Sequence, residues 1–127
     1  MKVGKEEIVG LLAAVKRYLA LDHAAIMRTW ETQVAAVVAA FDGVAGVTAR
    51  RAFPSEAGQP MPRAEIVFDE AKLGISRDDI LKRLRRGEPS IALAAAGANG
   101  VFVNPQTLEP GQERIICERL QEIIAGR

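Results

Sequence analysis

Apolar residues in the first third of the chain recur at helical spacing. Ile8, Leu11, Leu12, Val15 and Leu19 fall at i, i+3, i+4, i+7 and i+11, one face of a helical period. Met27, Trp30, Val34, Val37 and Phe41 form a second stripe spaced 3, 4, 3, 4. Two heptads are too few for a coiled coil. One continuous helix from Lys5 to Phe41 would run about 55 Å, longer than a compact small domain. A break near Leu21–Asp22 is therefore expected, with Asp22 as N-cap of the second helix. The helical pattern stops at Asp42-Gly43 and Gly46.

The period then changes to two. From Val47 to Phe53, Val47, Ala49, Arg51 and Phe53 share one face. From Arg63 to Asp69, Ala64, Ile66 and Phe68 share one face and Glu65 and Asp69 the other. Pro54 and the run Ser55 to Pro62 connect them as a loop, giving a hairpin with a long connection. Ser76 to Arg86 is the best-signalled helix. Ser76 and Asp79 form a capping box, and Ile75 and Ile80 occupy the hydrophobic staple positions. Gly87 is placed to end it. Ile91–Ala96 and Val101–Asn104 flank Gly97-Ala98-Asn99-Gly100, where Asn-Gly reads as a hairpin turn with positive φ at both central residues. A last helix spans about Pro110 to Ala125 and turns Ile116, Leu120, Ile123 and Ile124 inward.

The order α(α)ββαββα predicts an α+β two-layer sandwich. A long N-terminal helix or helix pair (residues 1–42) precedes a small antiparallel sheet with helices on one face (residues 43–127), the two forming one structural unit.

Composition adds limits. The 127 residues suit one domain. With 17 basic and 16 acidic side chains, the chain has no broad footprint for a polyanion, and nucleic acid is disfavoured. A single cysteine, Cys117, excludes an internal disulfide and favours a cytoplasmic setting. The polar start, Met-Lys-Val-Gly-Lys-Glu-Glu, is no secretory signal. The longest low-charge stretch, Thr32 to Phe41, is far short of a membrane span.

Candidate chemistry is sparse. His23 is the only histidine and has no second ligand for a zinc site. With no base near it, Cys117 reads as a structural thiol. Lys82, Arg83, Arg85 and Arg86 sit where a helix C-terminus favours cations, and no aromatics interleave them for base stacking. Gly97–Gly100 lacks the setting of a phosphate loop. No Ser/His/Asp set can be built. Arg50, Arg51 and Arg63 flank the long loop. Adjacent strand residues face opposite ways, so only one of Arg50 and Arg51 can serve a given site. Arg63 follows Pro62, which fixes the local backbone, and is a candidate anion clamp. These residues alone describe a non-catalytic α+β module.

Several segments resemble one family. Met1-Lys2-Val3-Gly4-Lys5-Glu6-Glu7-Ile8-Val9-Gly10-Leu11, followed by Tyr18-Leu19, resembles the start of the long helix between large and small domains of fold type I pyridoxal-phosphate (PLP) enzymes. Ala57-Gly58-Gln59-Pro60-Met61-Pro62-Arg63, Glu88-Pro89-Ser90-Ile91 and Asn104-Pro105-Gln106-Thr107-Leu108 look like the same branch. That branch is the L-seryl-tRNA selenium transferase-related group, with its glucosaminate phosphate ammonia-lyase-like members. The resemblance implies a C-terminal small domain, with PLP held by the large domain on a lysine upstream of Met1. It also implies that Lys2 and Lys5 are not that lysine. The selenium transferases carry an arginine in the strand of the last hairpin. Here the matching stretch is Ala92-Leu93-Ala94-Ala95-Ala96, which favours the ammonia-lyase-like branch or no substrate at all.

The expectation is a small domain of a PLP-dependent lyase or transferase, a fragment or split subunit without catalysis of its own. It would hold no cofactor or metal alone and contribute Arg63 to substrate binding. Its expected partner is a large-domain chain or its own copy, met through the Met27–Phe41 stripe. The alternative is a non-catalytic ferredoxin-like binding or dimerisation module.

Overall fold

The computed structural model describes residues 23–53 and 61–126. Helix α1 (His23–Ala40) leads into β1 (Val47–Ala52) and β2 (Arg63–Phe68). A short α2 (Glu70–Leu73) and α3 (Arg77–Arg86) follow. Then come β3 (Ala94–Ala96), β4 (Gly100–Val103), a 3-10 turn (Pro105–Thr107) and α4 (Gln112–Ile124). The sheet order is β1-β2-β4-β3, and every neighbouring pair is antiparallel. The molecule is the expected α+β sandwich. Its strands are joined directly in pairs, β1 to β2 and β3 to β4, rather than through the split βαβ crossovers of a ferredoxin-like fold, so that alternative does not describe its topology.

Register separates the two faces of the sheet. Val47 lies opposite Phe68, Ala49 opposite Ile66, and Ile66 opposite Val101. These residues share the face that α1, α3 and α4 cover. The core joins Ile66, Phe68 and Val101 to Val34, Val37 and Phe41 of the α1 segment, Ile80 and Leu84 of α3, and Ile116, Leu120 and Ile123 of α4. Each fully buried side chain of this size contributes about 1.5–3 kcal/mol. Three of the five residues of the Met27–Phe41 stripe depart from expectation, while Met27 and Trp30 are half-buried. Val34, Val37 and Phe41 are at most 2% exposed inside this domain's own core, so they are not free to dock a partner. The expected break at Leu21–Asp22 lies outside the described residues.

Local chemistry explains the boundaries. Ser76 Oγ accepts the Asp79 N–H at 3.2 Å, opening α3 as its cap. Asp78 and Asp79 lie in the first turn and Arg83, Arg85 and Arg86 in the last, matching the helix dipole. Gly87 ends α3 in extended rather than left-handed backbone (φ −80°). The last carbonyls are met instead by Ile91 N–H on Leu84 O (2.9 Å) and Ser90 Oγ on Arg85 O (2.7 Å). That bond ties Ile91 to α3, and pairing with β4 begins only at Ala94.

The last hairpin also differs from the sequence expectation. Its turn is Gly97–Asn99, and of its residues only Gly97 has positive φ (57°). Gly100 is a strand residue. A Cβ there would meet Ala96 O at 2.9 Å and Ile66 O at 3.0 Å, so glycine is required by close backbone approach. Asn99 joins the turn to β2: its Nδ2 donates to Phe68 O at 2.8 Å, and its carbonyl accepts the Phe68 N–H at 3.0 Å. Helix α2 was not anticipated. Asp69 caps it by accepting the Lys72 N–H at 3.1 Å.

Candidate functional site

The second face of the sheet carries Thr48, Arg50, Ala52, Arg63, Glu65, Val67, Phe102 and Ala94, as the register requires. The three longer helices all lie on the other side. Of the arginines singled out on the first two strands, Arg50 and Arg63 lie on this face and Arg51 on the other, and their partners sort them.

Arg50 Nη2 meets Glu65 Oε1 at 2.9 Å across the β1–β2 pair. Arg51 points to the opposite face and grips Glu31 of α1 with two nitrogens, Nε to Oε2 at 2.9 Å and Nη2 to Oε1 at 2.6 Å. Its guanidinium also lies 4.8 Å from the Phe53 ring centre. That hydrogen bond holds the Glu31 carboxyl below its ordinary value. Only one of Arg50 and Arg51 faces each side, as alternation demands. Both are engaged.

Arg63 is different. It starts β2 and is 9% exposed. Its guanidinium carbon lies 3.8 Å from the centre of the Phe102 ring. Its Nε is buried and has no hydrogen-bond partner among the described residues. Glu65 shares its face two residues along, but Arg50 already engages that carboxylate. Ala52, the residue opposite Arg63 on β1, offers no charge. Phe102 was not singled out from sequence. Its signal lay in the pairing of β2 with β4, which sequence alone does not supply. Phe102 also borders a cavity of about 410 Å³ whose walls include Ile91, Leu93, Leu108 and Ile115.

The other candidates fall away from this face. His23 begins α1. Cys117 is buried in α4, and burial followed by Glu113 and Glu118 pushes its thiol up to about 11. Lys82, Arg83, Arg85 and Arg86 are exposed on α3. Among the described residues no group of three His, Cys, Asp or Glu could hold a metal ion. No helix among them is long and apolar enough to cross a membrane. The described residues do not fit PLP. A lysine that condenses with it needs a desolvated amine in a closed pocket, and Lys72 and Lys82 are both exposed on helix surfaces.

No family model matches the chain. A solved structure of D-glucosaminate-6-phosphate ammonia-lyase superposes on 99% of the chain with TM-score 0.73 and 28% identity, using 33% of its own length. The D-glucosaminate-6-phosphate ammonia lyase of Salmonella typhimurium is 32% identical over 125 residues, 97% of this chain and 32% of that protein. The chain is thus similar, over nearly its whole length, to a domain-sized third of these ammonia lyases. A 5'-C-glycyluridine monooxygenase-decarboxylase from a Streptomyces species is 31% identical over 126 residues, 98% of this chain and 31% of that protein. The chain thus spans about a third of the length of the curated relatives it matches.

Proposed function

We propose that this chain is the small domain of a PLP-dependent lyase acting on an amino acid or amino-sugar acid. The carrying observation is the end-to-end match to one third of an ammonia lyase, in sequence and in fold. In this reading a large domain, in the same polypeptide or in a partner chain, holds PLP and its lysine. PLP supplies the electron sink for breaking a bond at the α- or β-carbon. The small domain turns its open sheet face to that site, helps exclude water and orients the substrate through Arg63. Its setting is the cytoplasm.

The test is to isolate the native assembly through a tag on this chain and measure PLP and amine release together. Stoichiometric PLP and ammonia formation from D-glucosaminate-6-phosphate or a related amino-sugar acid support the reading. An assembly without PLP, or a chain that purifies alone and performs an unrelated activity, overturns it.

A further inference from the structure

We propose that Arg63 and Phe102 form a site for an oxyanion, a carboxylate or a phosphate group, which binds to the terminal nitrogens of the Arg63 guanidinium. The site is a property of this chain. Only the identity of the molecule that brings the anion rests on the function proposed above.

The argument starts from a charge without a counterion. A cation 9% exposed has lost most of its hydration, a cost normally met by pairing or hydrogen bonding. Arg63 shows neither to the described residues. Its Nε is buried and unpartnered, the carboxylate on its own face is engaged by Arg50, and the residue opposite is an alanine. The negative face of the Phe102 ring, 3.8 Å from the guanidinium carbon, compensates part of the loss. A further anion would compensate the rest.

The same contacts define how the anion arrives. Nε faces protein, so the approach is to the terminal nitrogens. A guanidinium held against a ring sends its N–H bonds outward in its own plane, and two oxygens of one carboxylate or phosphate can meet them side by side. Phe102 is a positioning residue here. It fixes the plane of the fork and keeps water from one side of it, without touching the anion. Phe102 and Arg63 sit on neighbouring paired strands, β4 and β2, so the arrangement is built before any ligand binds.

The probe is nuclear magnetic resonance of the arginine side-chain Nε–H signals in the labelled 127-residue chain. The Arg63 signal is assigned from its loss in Arg63→Gln. Inorganic phosphate and gluconate are titrated separately against sodium chloride at matched ionic strength. A saturable shift with phosphate or gluconate, absent with chloride and absent in Arg63→Gln, supports the site. Which of the two binds more tightly tells phosphate from carboxylate. Phe102→Leu should weaken binding about 2- to 30-fold, the span of cation–π strengths, and Phe102→Tyr should restore it.

No saturable shift with either oxyanion overturns the site, and unchanged affinity in Phe102→Leu overturns the role of the ring. If Phe102→Leu fails to fold, Phe102→Tyr and Arg63→Gln still decide. Failure here leaves the PLP content of the native assembly untouched. Failure of the PLP measurement leaves the anion titration untouched.

Discussion

Replacing Arg63 by methionine should leave the domain as stable as before or more so. An arginine that held the fold together would behave oppositely. Breaking a buried, hydrogen-bonded ion pair costs about 3–5 kcal/mol. Arg63 has no such pair among the described residues: its Nε is buried without a partner there, and its guanidinium lies against the Phe102 ring. Relieving an unsatisfied buried polar group returns about 1–3 kcal/mol. Losing the cation–π contact costs about 0.5–2 kcal/mol. A thioether against the ring restores about 0.3–1.5 kcal/mol. The balance of mid-range values is a gain of about 1.6 kcal/mol for Arg63→Met. With a urea slope near 2 kcal/mol/M, the midpoint should rise by about 0.8 M. The single tryptophan, Trp30 in the helix that packs on the sheet, provides the fluorescence signal. A loss of about 3 kcal/mol or more would refute the reasoning, because it would mean that Arg63 holds a structural counterion. An activity lost while stability is kept or gained marks a residue retained for binding.

Other outcomes follow from the same contacts. Leu120→Ala, in the middle of α4 and fully buried, should cost about 2–5 kcal/mol in urea unfolding, and a cost under about 1 kcal/mol would contradict a single one-sided core. Cys117 should resist thiol reagents in the folded chain and react once urea unfolds it; fast labelling of native protein would contradict its burial. Burial raises its thiol from 9.0 to about 11, so its contribution to stability is complete below pH 9 and fades as pH rises through 11. Cys117→Ser should flatten that fall, and identical alkaline slopes would remove the effect. Glu31 is held below its ordinary value of 4.5 by Arg51, so its contribution is present above that pH and lost as acid protonates it. Glu31→Gln should soften the acid transition, and an unchanged acid transition would mean the pair is idle.

Much of the fold was legible because local signals and burial agree. Ala64, Ile66 and Phe68 alternate in sequence and are all fully buried in β2. Ser76 is a cap in both readings. The departures share a cause: each was set by a tertiary contact that local pattern does not show. Asn99-Gly100 looks like a two-residue turn, yet Gly100 is a glycine because Ile66 O from β2 passes behind it. Ile91 looks like strand, yet its N–H is taken by Leu84 of α3. The Met27–Phe41 stripe looked free because nothing in the chain order shows that the sheet lies beneath it. Arg63 could be singled out for its place after Pro62. Its partner could not, since Phe102 reaches it only through the antiparallel pairing of β2 and β4. Register sets Arg50 opposite Glu65 and Arg63 opposite Ala52, while Arg51 turns to Glu31 of α1.

The central claim is that this small domain presents Arg63 to the substrate of a PLP-dependent active site. The most direct measurement is steady-state kinetics of the native PLP-containing assembly carrying Arg63→Gln. The account predicts a KM about 10- to 150-fold higher, matching a lost charge-assisted contact, with PLP content unchanged. A KM equal to that of the unaltered protein would contradict it.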